Sequence, residues 1–98
     1  MSVGVLKAKQ FTSSSLVTNK RALFKQLIMF HAGANDATVQ FYDLTAPPVG
    51  GEPFYKFMVY GKGYYNLPLV DPGVLFDDGI YVVVPVADLT VTVLYEEV

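Results

Sequence analysis

The stretch KRALFKQLIMFHAG, residues 20–33, decides the fold class of this chain. As a helix it gathers Leu23, Leu27 and Phe30 on one stripe, with Phe24 and Ile28 beside it. As a strand it puts Ala22, Phe24, Gln26, Ile28 and Phe30 on one face. Arg21, Leu23, Lys25, Leu27, Met29 and His31 fall on the other. No capping box opens it, and the GAND that follows is turn chemistry leading straight into a strand, ATVQFYD at 37–43. The strand reading fits its surroundings, and the chain is then all-β.

Working outward, the other segments agree. VGVLKAK at 3–9 and SLVT at 15–18 are extended pieces on either side of a polar break, TSSS. In 37–43, Val39 and Phe41 face in, and Thr38, Gln40 and Tyr42 face out. LTAPPVGGEP at 44–53 is a loop by its proline and glycine content. In FYKFMVYG at 54–61, Tyr55, Phe57 and Val59 share one side; Phe54, Lys56, Met58 and Tyr60 share the other. KGYYNLPLVDPG at 62–73 reads as irregular, with a turn at Asp71-Pro-Gly. VLF at 74–76 is a short strand, and Asp77-Asp-Gly turns into IYVVVPV. LTVTVLY at 89–95 alternates cleanly and reads as the second arm of a hairpin with IYVVVPV, around a turn at 86–88. Ile80, Val82 and Val84 should then enter the core beside Val91 and Val93, and Pro85, without an N–H, should end its strand. The expectation is one domain, residues 1–98. It is a small antiparallel β-sandwich or jelly roll of about six to eight short strands.

Composition sharpens the question of what covers such strands. Of 98 residues, 52% are apolar and only 16% are charged, a high apolar share for a chain too short to bury much of its surface. Either apolar surface faces water or another chain covers it. The second faces of the doubly apolar strands are the candidate interface: Phe54, Met58 and Tyr60, with Tyr81 and Val83. Charge is segregated along the chain. Lys7, Lys9, Lys20, Arg21 and Lys25 precede the first acid, Asp36, and after Lys62 only acids follow. Pairing of terminal strands within one sheet would interleave these signs; head-to-tail contact between subunits is the other way to match them.

Catalytic chemistry finds little support. His31 is the sole histidine, and a lone histidine at a strand end is far more often structural than catalytic. With no cysteine and no second histidine, no familiar zinc site can be built. Ser13, Ser14 and Ser15 lack a nucleophile elbow. Asp77 and Asp78 lack calcium-loop spacing, and GKGYYN at 61–66 lacks the pattern of a phosphate loop. No catalytic, metal or cofactor-binding residue is assigned, and the chain reads as a non-enzyme without cofactors. The few bases and acidic balance argue against nucleic acid. The start lacks the apolar core of a signal peptide, and no run is long enough to span a membrane, so the chain reads as made in the cytoplasm. Tyr42, Tyr55, Tyr60, Tyr64, Tyr65 and Tyr81 form either a stacking platform for sugars or packing and interface residues. The second reading is preferred, because acids and not bases accompany the later tyrosines.

SSSLVTNKRALFKQLIMFHAGANDATVQFYD and GVLFDDGIYVVVPVADLTVTVLYEE together resemble a group of small virion proteins of tailed bacteriophages. The resembling parts are GANDATVQFYD at 33–43 and the FDDGIYVVV…VTVLY pattern within 74–95. They are structural motifs, a strand with its turns and a hairpin. The chain departs from the group at PFYKFMVYGKGYYNLPL, residues 53–69, where members often carry Gly-rich polar segments. The resemblance implies a virion location and a head decoration (cement) or small fibre or tail component without enzyme activity. It also implies a homo-oligomer, preferably a trimer, that binds a major capsid or other virion protein. A carbohydrate-binding or adhesion module of a fibre or tail is the alternative.

Overall fold

The computed structural model describes residues 5–69 and 72–98. Nine strands and no helix occur among them: β1 Leu6–Phe11, β2 Ser15–Thr18, β3 Ala22–His31, β4 Ala37–Tyr42, β5 Tyr55–Val59, β6 Tyr64–Pro68, β7 Val74–Phe76, β8 Ile80–Val83 and β9 Leu89–Glu97. The 20–33 stretch is therefore a strand. No helix among the described residues is long and apolar enough to cross a membrane.

The strands pair in nested order. β1 pairs with β9, β2 with β8, β3 with β6 and β7, and β4 with β5, all antiparallel. The chain behaves as one long hairpin with its tip in the loop after Tyr42, rolled so that successive pairs lie in opposite layers. Two further pairings, β3 with β9 and β4 with β8, close the roll. One sheet, sheet A, has the order β1-β9-β3-β6, with β7 continuing the β6 edge; the other, sheet B, has the order β2-β8-β4-β5. This is a β-sandwich with jelly-roll connectivity.

Two of the sequence expectations need correction. The 80–95 stretch is not a hairpin: β8 lies in sheet B and β9 in sheet A. Pro85 does lie beyond the strand end at Val83, and the link from there to Leu89 crosses the core layer. The apolar faces of both strands still meet, but across the sandwich: Ile80, Val82, Val84, Leu89, Val91 and Val93 all belong to the buried core. The strand count also rises to nine, because β6 lies inside the stretch that reads as irregular. Gly63, Asn66 and Pro68 imitate a loop there, yet Pro68 is tolerated as the last residue of an edge strand. Of the expected first strand, residues 3 and 4 lie outside the described residues, as does Asp71 of the expected turn.

A third difference concerns faces. The register of β3 against β9 shifts between Phe24 and Gln26, so that two residues of β3 oppose one of β9. This β-bulge flips the alternation. Ala22 and Phe24 point inward before it, and Leu27, Met29 and His31 point inward after it. Gln26, Ile28 and Phe30 consequently turn outward. Aromatic rings join the layers in the core: Phe24 of sheet A meets Phe41 of sheet B at 4.8 Å and Phe76 at 5.9 Å between centroids.

Candidate functional site

His31 is buried, and both ring nitrogens are engaged by its own loop. The Gly33 N–H donates to Nδ1 at 3.2 Å, so Nε2 carries the proton and donates to the Asn35 carbonyl at 2.6 Å. A Cβ on Gly33 would meet the imidazole at 2.8 Å, so the loop and the ring fit each other closely. Among the described residues, no hydroxyl or acid side chain hydrogen-bonds to His31 to complete a triad. Ser14 Oγ instead accepts the Val84 N–H at 3.0 Å, tying the polar break to the end of β8.

The Asp77–Gly79 turn is held by another acid. Asp43, just past β4, accepts the N–H groups of Asp77, Asp78 and Gly79 at 3.1, 2.8 and 3.3 Å. Asp77 faces Arg21 at 3.6 Å. Among the described residues, no three His, Cys, Asp or Glu side chains gather as metal ligands. Gly61-Lys62-Gly63 is the β5–β6 turn. A side chain on Gly61 would strike the Ala34 carbonyl oxygen at 2.2 Å, and Lys62 sits at φ 59°. Here glycine serves close backbone approach.

The segregated charges meet within the chain. Because β1 and β9 pair, Lys7 lies 2.5 Å from Glu97 Oε1, and the Thr18 hydroxyl donates to Glu97 Oε2 at 2.6 Å. Glu97 thus joins β1 and β9 of sheet A to β2 of sheet B. The hydrogen bonds from Lys7 and Thr18 hold the Glu97 carboxyl below its ordinary pKa; the hydrogen bond to Glu97 raises that of Lys7. Lys9 Nζ spans the same side of the sandwich to the Val17 carbonyl, at 2.9 Å. Lys25 and Glu96 pair at 3.8 Å on sheet A.

The opposite side, where β5 and β6 lie, is aromatic. Tyr65 points inward, and its hydroxyl accepts the Tyr60 N–H at 3.3 Å. Tyr55 and Phe57 stack nearly parallel, 5.9 Å apart, at the sandwich rim. The six tyrosines do not form one platform. Tyr42 and Tyr81 are register partners on the outside of sheet B, Tyr64 lies on the outside of sheet A, and Tyr65 faces inward.

Of the residues favoured from sequence, Met58 projects from β5 and is 55% exposed, with Phe54 and Tyr60 similarly open at the two ends of the strand. The Phe54 ring also packs on Phe76, 4.9 Å away. Val83 is half-buried at the end of β8. Tyr81 is 9% exposed: it stands on the outer face between Leu16 and Tyr42, and its own chain covers most of it.

Sequence reasoning missed the outer face of sheet A. Registers place Tyr64, Phe30 and Thr90 in one cross-strand row, and Asn66, Ile28, Thr92 and Gln10 in the next. Leu94, Ala8, Leu23 and Leu6 lie in the rows beyond. Phe30 is 49% exposed and Tyr64 is 66% exposed. The charges here, Lys25 and Glu96, pair with each other. The bulge at Lys25 was the signal needed to find this face.

A scan against protein-family models finds no matching family, and neither a curated protein nor a solved structure matches the chain.

Proposed function

We propose that this chain is a non-enzymatic structural protein that works by adhesion. In this reading it is a capsid decoration (cement) protein of a phage virion, associating with copies of itself and with a larger shell protein. The outer face of sheet A carries the adhesive part of the reading. Four strands spaced about 4.8 Å apart, at about 3.4 Å per residue along the 10 residues of β3, give a footprint of roughly 600 Å². That footprint approaches the ~800 Å² per partner of a standard interface, and on it Tyr64, Phe30, Ile28, Leu94 and Leu23 alternate with the polar Thr90, Thr92, Asn66, Gln10 and Gln26, the mixture of an interface rather than of a core. The virion part rests on the resemblance at 33–43 and 74–95. Jelly rolls occur in capsid proteins and in lectins alike, so the fold itself adds only an analogy.

A glycan-binding module is weaker on one specific count: its tyrosines divide between two outer faces and the interior. Two measurements on the purified chain separate the readings. Sedimentation across a concentration series should show association, and a glycan array should show no binding. A chain that stays monomeric, binds no virion shell protein and holds a glycan would overturn the proposal.

A further inference from the structure

The four edges of the sandwich are not alike. A free edge strand offers unpaired N–H and C=O groups to any other strand, and proteins guard such edges with inward charges, bulges, prolines or short length. β1 carries Lys7 and Lys9 on the face turned toward sheet B, opposite Tyr95 and Val93. β2 has four residues, its register breaks between Leu16 and Thr18, and Lys9 caps its Val17 carbonyl. The far edge of sheet A is cut into β6 and β7, and β6 ends on Pro68. β5 is the least guarded, with no inward charge, bulge or proline and a single outward lysine, Lys56. It runs Tyr55–Val59 unbroken at the end of sheet B.

We propose that β5 is a self-association edge. Two copies pair their β5 strands antiparallel about a two-fold axis at Phe57, joining both B sheets into one eight-stranded sheet. This rests on the self-association reading above and gives the contact between copies its own place, the edge of sheet B, apart from the adhesive outer face of sheet A. A five-residue strand overlaps its copy fully only when Phe57 faces Phe57. In that register Lys56 meets Met58 of the second copy, and Tyr55 meets Val59. Shifting the axis to Lys56 would set two ammonium groups opposite each other, which is destabilising. Phe54 and Tyr60, open at the two ends of the strand, come together as well. One contact thereby covers three exposed apolar side chains, Phe54, Met58 and Tyr60. A two-fold edge makes a dimer, not the trimer the resemblance favours.

The sign of an added charge tests the register. Met58→Lys places a second ammonium opposite Lys56 of the other copy, twice per dimer; Met58→Glu places a carboxylate there. Met58 is exposed, so both variants should keep the wild-type circular dichroism and melting temperature. Sedimentation equilibrium should give a wild-type dimer, a dissociation constant weakened about tenfold or more by Met58→Lys, and no weakening by Met58→Glu. The chain has no cysteine, so oxidative cross-linking gives an independent readout. Directly opposed residues lie about 4.5–5.5 Å apart between Cα atoms, within disulfide reach. Lys56→Cys mixed with Met58→Cys should cross-link, and neither variant alone should. Equal weakening by both charges, a trimer indifferent to either, or no mixed cross-link would overturn the β5 edge while leaving self-association standing. A monomer at every concentration would overturn both.

Discussion

The two sides of the sandwich are built from opposite chemistries. Where β1 and β2 lie, Lys7, Lys9, Thr18 and Glu97 hold the two sheets together through ionic and hydroxyl contacts. Where β5 and β6 lie, Tyr55, Phe57, Met58, Tyr60 and Tyr64 leave aromatic and apolar surface at the rim. The difference teaches that segregated charge along a chain need not mean charged contact between chains. Here the basic beginning and the acidic end are neighbours in one sheet, and they finish one side of the molecule. The side with few charges and open aromatic rings is the one suited to a partner.

The largest expected effect lies in the core that both sides share. Val82→Asp sets an unpaired carboxylate among fully buried side chains, and the chain should fail to fold, as read by circular dichroism. Tyr81→Asp, one residue away on the outer face, should fold with a lowered melting temperature. Equal collapse of the two would mean that the outer face of β8 is as much core as its inner face.

Next comes the ionic side. Thr18→Val removes the hydroxyl that joins β2 to Glu97 while keeping its shape. The part-buried bond to a charged group contributes about 1–2 kcal/mol, so the melting temperature should fall by roughly 4–16 °C. The pH dependence follows from Glu97. Its folded pKa is lowered, so its stabilisation is present above the ordinary carboxylate pKa and is lost as pH falls through the folded value. Wild type should therefore melt higher than Glu97→Gln at neutral pH, and the gap should close in acid. A constant gap would mean that Glu97 acts by packing alone.

The smallest effect on stability is expected on the outer face of sheet A. Phe30→Ser, at a half-exposed position, should stay within about 1 kcal/mol of wild type in thermal melts of dilute protein. Association, by contrast, should weaken if that face is adhesive. Salt sharpens the same contrast. The ion pairs are internal, so raised salt should lower melting temperature slightly without dispersing an assembly held by apolar contacts.

Much of the fold is legible in the residues, and the exceptions have physical causes. The alternation of Val39 and Phe41 in β4, of Phe57 and Val59 in β5, and of Val91, Val93 and Tyr95 in β9 follows from a period of two over one buried face. Which strands pair does not follow: β8 and β9 have hairpin spacing, and only the three-dimensional arrangement separates a hairpin from a link that crosses layers. The bulge at Lys25 is also silent in sequence, since the residues around it keep an apolar pattern on either side. That silence hid the outer face of sheet A, because unbroken alternation assigns Ile28 and Phe30 to the same face as Phe24. The apolar excess and the exposed Met58, Phe54 and Tyr60 were legible; which edge is least guarded was not.

Amide hydrogen exchange on the two opposite edges, followed as protein concentration rises, tests the contrast most directly. The free N–H groups of residues 55–59 in β5 should gain protection with concentration, while those of residues 7–11 in β1, on the ionically closed side, should exchange at an unchanged rate. Protection that rises equally on both edges, or on β1 alone, would contradict the account.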